Sequence, residues 1–115
     1  MAAPRSNTRP VRIDVRLSAE VLLDGRAVTG TTRNLSTGGV CIELDRPVLE
    51  GSLLGLRLFF VEDGVESENS QTLELNGTVQ WVAEADTGFA VGFRFASLTA
   101  AQLQGLSHTL QTLGE

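Results

Sequence analysis

Val11-Arg12-Ile13-Asp14-Val15-Arg16-Leu17-Ser18-Ala19-Glu20-Val21-Leu22-Leu23 runs directly into Asp24-Gly25. From Val11 to Leu23 the odd positions are apolar, and the even positions from Arg12 to Glu20 are polar. A period of two over this length describes a strand with one buried face, because successive side chains on an extended backbone point to opposite sides. Asp-Gly after such a run is a hairpin turn, since both residues tolerate the positive φ that a tight two-residue connection requires. The return strand covers about Arg26 to Arg33. It leads into a polar bend, Asn34-Leu35-Ser36-Thr37-Gly38-Gly39.

The same period continues downstream. Val40, Ile42 and Leu44 alternate with Cys41 and Glu43, and Asp45-Arg46-Pro47 ends that strand. A fourth strand, about Ser52 to Val61, carries Leu54, Leu56, Leu58 and Phe60 on one face. Its other face holds Leu53, Gly55, Arg57 and Phe59, which suggests cover on both sides. Residues 62–70 are acidic and polar, the composition of a solvated hairpin tip. Leu73, Leu75, Val79, Trp81 and Ala83 fall in phase on a fifth strand. After Asp86-Thr87-Gly88, a sixth strand puts Phe89, Val91, Phe93 and Phe95 on one face. Trp81 and these phenylalanines are expected in the core.

The period then changes. Thr99 and Gln102 form a capping-box pattern, with Leu98 and Leu103 placed as a hydrophobic staple. Leu103, Leu106, Leu110 and Leu113 recur at helical spacing, and Gly114 stands where a C-terminal cap belongs. The expectation is an all-β fold: a six-stranded antiparallel β-barrel closed by a C-terminal α-helix over about 98–113. Residues 11–115 form the single domain. Residues 1–10, polar and with two prolines, are expected to be a flexible N-terminal arm.

Composition narrows the function. At 42% hydrophobic and 20% charged, the chain is a globular protein, and no apolar run approaches a membrane span. There is no apolar leader, so the expected location is cytoplasmic, without membrane insertion. A net charge of −5 argues against DNA or RNA as a partner. The charge is unevenly placed, however. All nine basic residues are arginine, and Arg5, Arg9, Arg12 and Arg16 lie in the first sixteen positions. A GC-rich genome accounts for the missing lysine but not for the clustering. Forked guanidinium groups suit phosphate or guanine.

Catalytic chemistry finds little material. His108 is the only histidine and has no Cys or carboxylate within helical reach. Cys41 is the only cysteine, so neither a disulfide nor a cysteine metal knuckle is available. No nucleophile elbow and no phosphate-binding glycine loop is present. The expectation is a protein that is not an enzyme, with no metal and no cofactor.

The bend has the form (Asp or Asn)-x-Ser-x-x-Gly. With the upstream Arg-x-x-x-Arg, the strand Gly77-x-Val79-x-Trp81, the strand from Gly88 to Phe95 and the terminal helix, the chain resembles the PilZ domain family of bacterial cyclic di-GMP receptors. The resemblance covers nearly the whole sequence and implies a six-stranded barrel with a helix. It also implies a ligand held between an arginine arm and the bend. Asn34 would accept from a guanine edge, Ser36 would bond base or phosphate, and Gly39 would leave room for the base. Two successive glycines would supply positive φ. The arginines are drawn from Arg5, Arg9 and Arg12. Arg5 with Arg9 fits the spacing and precedes the first strand, Arg12 with Arg16 fits it within the strand, and Arg9 with Arg12 is a third pairing. The resemblance implies second-messenger signalling. Cyclic di-GMP would order residues 1–10 over the bend and alter a surface shown to an effector protein. The alternative is a degenerate barrel that does not bind the nucleotide and serves as a protein-interaction module in motility or secretion.

Overall fold

The computed structural model describes residues 12–60 and 71–113. The elements are β1 (Ile13–Asp14), β2 (Ser18–Leu23), β3 (Arg26–Leu35), β4 (Gly39–Leu44), β5 (Leu53–Phe60), β6 (Gln71–Ala85), β7 (Gly88–Phe95) and α1 (Ala100–Leu113). All pairings are antiparallel, in the order β3-β2-β5-β6-β7-β4, and β3 pairs again with β4 to close the ring. Closure removes the unpaired edges that a six-stranded sheet would otherwise expose. The expected six-stranded barrel with a terminal helix is therefore the observed fold.

β1 and β2 are the two halves of the expected first strand. Asp14 pairs with Asn34 but Ser18 pairs with Thr31, so the first strand carries one extra residue across the gap. The buried Thr32 hydroxyl fills the break: it accepts from the Leu17 N–H at 2.8 Å and donates to the Val15 carbonyl. A side chain thus supplies the hydrogen bonds that the ladder loses at the bulge.

The barrel interior is built from the inward residues of β2 to β7, among them Val21, Leu35, Ile42, Leu56, Leu58, Leu75 and Val91. Asp24 and Gly25 have φ of 50° and 81°, the two positive values of a tight hairpin connection. The bend glycines do not behave as expected: neither Gly38 nor Gly39 has a positive φ. Gly39 is needed for proximity instead. A Cβ there would lie 2.2 Å from the Phe93 carbonyl oxygen, so only glycine lets β4 pair with β7 at this register.

Three further expectations are corrected. β5 is not covered on both sides; its outward Leu53 is 64% exposed. Trp81 is not in the core. β6 gains one residue between Val79 and Trp81, which reverses the facing of the rest of the strand, so Val82 packs inward and Trp81 is 44% exposed. In α1, Leu103 is 44% exposed, while Leu106 and Thr109 are buried. The helix meets β6 on the side carrying Gln102, Gly105 and Leu106, and a Cβ on Gly105 would stand 3.3 Å from Leu73. The capping box itself forms: the Thr99 N–H donates to Gln102 Oε1 at 2.8 Å, and the Gln102 N–H donates to Thr99 Oγ1 at 3.1 Å. Gln102 Nε2 also donates to the Glu74 carbonyl at 2.8 Å, tying the helix start to β6. The acidic 62–70 segment, the arm with Arg5 and Arg9, and the Gly114 cap lie outside the described residues.

Candidate functional site

The polar bend stands at one end of a line of outward residues. Asn34 pairs with Cys41, Cys41 with Gly92, and Gly92 with Trp81. Their inward neighbours Leu35, Val40, Ile42, Val91 and Phe93 fill the barrel, so alternation turns these four outward. Three strand spacings make the line about 14 Å long. Above it lies an open cavity of about 640 Å³, with Ser36 and Gly38 on one side, Trp81 and Gln80 on the other, and Arg12 and Arg94 among its walls.

Ser36 is buried, and its hydroxyl accepts from the N–H groups of Gly38 (3.0 Å) and Gly39 (3.2 Å). With the Ser36 N–H donating to the Gly39 carbonyl at 2.9 Å, the bend is locked by its own polar groups. Gly38 lines the cavity, whereas Gly39 sits beneath it against Phe93. Asn34 borders a smaller groove of about 300 Å³ together with Arg16 and Arg33. Its Oδ1 accepts from Arg12 Nη1 at 2.7 Å. That contact engages the amide oxygen as an acceptor and latches Arg12 to the end of β3.

The arginines separate by partner. Arg16 and Arg33 share Glu43, each at 3.2 Å. Arg57 bridges Glu20 and Glu74, and Arg46 is held by Asp45. Among the described residues no carboxylate holds Arg12, Arg26 or Arg94, and two of these three line the cavity. The described lining contains no carboxylate at all, in a chain of net charge −5. The wall is therefore a local cationic patch, suited to an anion.

The aromatic wall depends on a missing side chain. A Cβ on Gly92 would stand 2.2 Å from Trp81 Nε1 and 2.3 Å from Cε2, so the indole lies directly over the glycine backbone. One ring face is covered and the other side is open, an arrangement that presents a flat π-surface. Cys41, 3% exposed, lies in the floor between Asn34 and Gly92. Burial pushes its thiol up from the ordinary value, against the opposing pull of the Arg33 guanidinium. A raised pKa keeps the floor neutral.

The structure thus brings Arg12, Asn34 and Ser36 together. It places Arg16 in the Glu43 cluster, away from the main cavity. Trp81, Gly92 and Arg94 are additions that sequence reasoning did not reach. The available signal was Gly92 itself, a position without a side chain on the outer face of a strand otherwise rich in bulk. Among the described residues there is no cluster of three or more potential metal ligands, and no helix is long and apolar enough to cross a membrane.

Residues 4–111 match the model of the PilZ domain. No curated protein sequence matches the chain. Among solved structures, the chain is similar to the Bacillus subtilis inhibitor of motility MotI/DgrA, with a TM-score of 0.76 and 17% identity over 96% of this chain and 53% of that one. It is also similar to Escherichia coli YcgR in complex with c-di-GMP, with a TM-score of 0.75 and 18% identity over 96% of this chain and 46% of that one. The PilZ domain of YcgR with c-di-GMP gives a TM-score of 0.74 and 15% identity, over 95% of this chain and 92% of that domain. The chain spans about half the length of the first two proteins.

Proposed function

Because the chain belongs to the PilZ domain family, whose members are non-catalytic signalling modules, we propose that its outer cavity receives cyclic di-GMP and reports it to an effector protein. One observation carries the reading: among the described residues, the cavity beside the bend combines two guanidinium groups, no carboxylate and an indole with an open side. A cyclic purine dinucleotide has complementary chemistry. Its two phosphates carry two negative charges, and its guanines present flat faces with acceptor-rich edges.

The roles follow from the contacts. Arg12 exchanges its bond to Asn34 for a phosphate or a guanine edge. Asn34 then offers both its oxygen and its NH₂ to base. Ser36 shapes the bend, so that the backbone of Gly38 approaches the ligand without a Cβ in the way. Trp81 stacks on a purine. Residues 1–10, with Arg5 and Arg9, close over the ligand, and their ordering is the change that the effector reads.

A second reading has its own support. The polar groups of the bend already satisfy one another, and Arg12 is latched on Asn34. A barrel of that kind is complete without ligand and acts as a protein-interaction module. Isothermal titration calorimetry with cyclic di-GMP separates the two. Heat that disappears in Arg12→Ala supports the receptor. No heat and no thermal shift at saturating ligand supports the adaptor.

A further inference from the structure

Arg94 is the cavity's second cation, and neither the bend motif nor the arm arginines include it. It follows Gly92 by two positions on β7, so it shares the outer face and stands about 7 Å along the strand. Its register partners are Gly39, which has no side chain, and Thr78, which is small, so the guanidinium is exposed. Among the described residues it has no carboxylate partner, whereas four other arginines do. Its backbone is held on both sides by β4 and β6. The charge is therefore presented from a rigid wall and needs no ordering of the arm.

Trp81 flanks Gly92 on the neighbouring strand. An indole and a guanidinium one strand-repeat apart match the layout of a single nucleotide, with base on the ring and phosphate several ångströms away. We propose that Arg94 is a ligand-contacting residue, binding a phosphate of the nucleotide whose purine stacks on Trp81. This rests on the nucleotide reading of the cavity and deepens it. The β6–β7 wall is then a half-site of its own, which takes a purine nucleoside monophosphate without Arg12, Asn34 or the arm.

The test uses the protein's only tryptophan as its probe, with no tyrosine to interfere. Quenching of Trp81 emission is titrated with cyclic di-GMP and with guanosine 5′-monophosphate, in wild type, Arg94→Ala and Arg94→Lys. Arg26→Ala, an exposed arginine outside the cavity, is the control. Loss of a charge-assisted contact is expected to weaken cyclic di-GMP binding about 10- to 100-fold in Arg94→Ala, with partial recovery in Arg94→Lys. The slope of log affinity against log salt should fall by about 0.7 to 1. Guanosine 5′-monophosphate should quench wild type at millimolar concentration and fail to quench Arg94→Ala. If wild type binds cyclic di-GMP and Arg94→Ala binds it equally, this inference is overturned while the receptor reading stands. If wild type ignores cyclic di-GMP, the receptor reading falls. Quenching by the monophosphate that depends on Arg94 would then still support the half-site, and its absence would overturn it.

Discussion

Replacing Gly92 by Ala should move the indole of Trp81 without breaking the barrel. The new Cβ would stand 2.2, 2.3 and 2.8 Å from Nε1, Cε2 and Cζ2. Comfortable contact is about 3.5 to 4.0 Å, so the ring must retreat by about 1.3 to 1.8 Å. The obstructing atoms belong to a side chain with 44% exposure, and solvent lies on its far side. Retreat costs a displaced rotamer, about 0.5 to 1.5 kcal/mol, and lowers Tm by roughly 4 to 8 °C per kcal/mol in a domain of about this size. The effect on ligand is larger in proportion. A base stacked on an aromatic ring is worth about 1 to 3 kcal/mol, so affinity for cyclic di-GMP should drop about 5- to 150-fold. Emission from Trp81 should shift to the red, and acrylamide should quench it more strongly. Trp81→Ala removes the obstructed ring, so the double variant should bind no worse than Trp81→Ala alone. Unchanged emission and quenching, together with a lower Tm, would refute the reasoning: the methyl group would then be displacing strand backbone rather than the ring.

Other perturbations test other parts of the argument. Thr32→Val keeps the shape but strands the Leu17 N–H and the Val15 carbonyl; urea unfolding should show a loss of about 1 to 3 kcal/mol, with faster exchange of the Leu17 amide. Gln102→Glu preserves the acceptor for the Thr99 N–H but aims a carboxylate at the Glu74 carbonyl. It should therefore destabilise α1 relative to wild type by about 1 kcal/mol, as read by far-ultraviolet circular dichroism during thermal melting. Cys41 has a folded-state pKa above its ordinary 9.0, so its thiol favours the folded form fully below pH 9. As pH rises past 9 the unfolded chain ionises first, and that stability is lost through the folded pKa. Cys41→Ala should show a shallower alkaline decline in urea unfolding free energy, and an identical decline would contradict the assignment.

Local chemistry accounts for much of the molecule. The alternation from Ile13 to Leu23, the Asp24-Gly25 turn and the Thr99/Gln102 box are short-range patterns, and each has the expected geometry. The bend and Arg12 are readable for the same reason, since their residue types and spacing lie within one hairpin and its approach. Trp81 is misplaced when a period of two is carried straight through Gln80. Arg94 gives no signal because an arginine on a strand's outer face has many partners to choose from.

By itself, then, the sequence settled which segments are strands, where they turn, how the helix starts and that a polar bend adjoins an arginine-rich approach. Tertiary structure alone decided where the pairing gains a residue: before Ser18, at Arg33 and at Gln80. Each is a mismatch between two strands; those at Arg33 and Gln80 reverse the facing of everything beyond them, while the odd residues stay inward across the gap before Ser18, so no periodicity within one strand contains them. That inter-strand accounting turned Trp81 outward onto Gly92, and so made a cavity wall from a residue whose own neighbours assign it to the core.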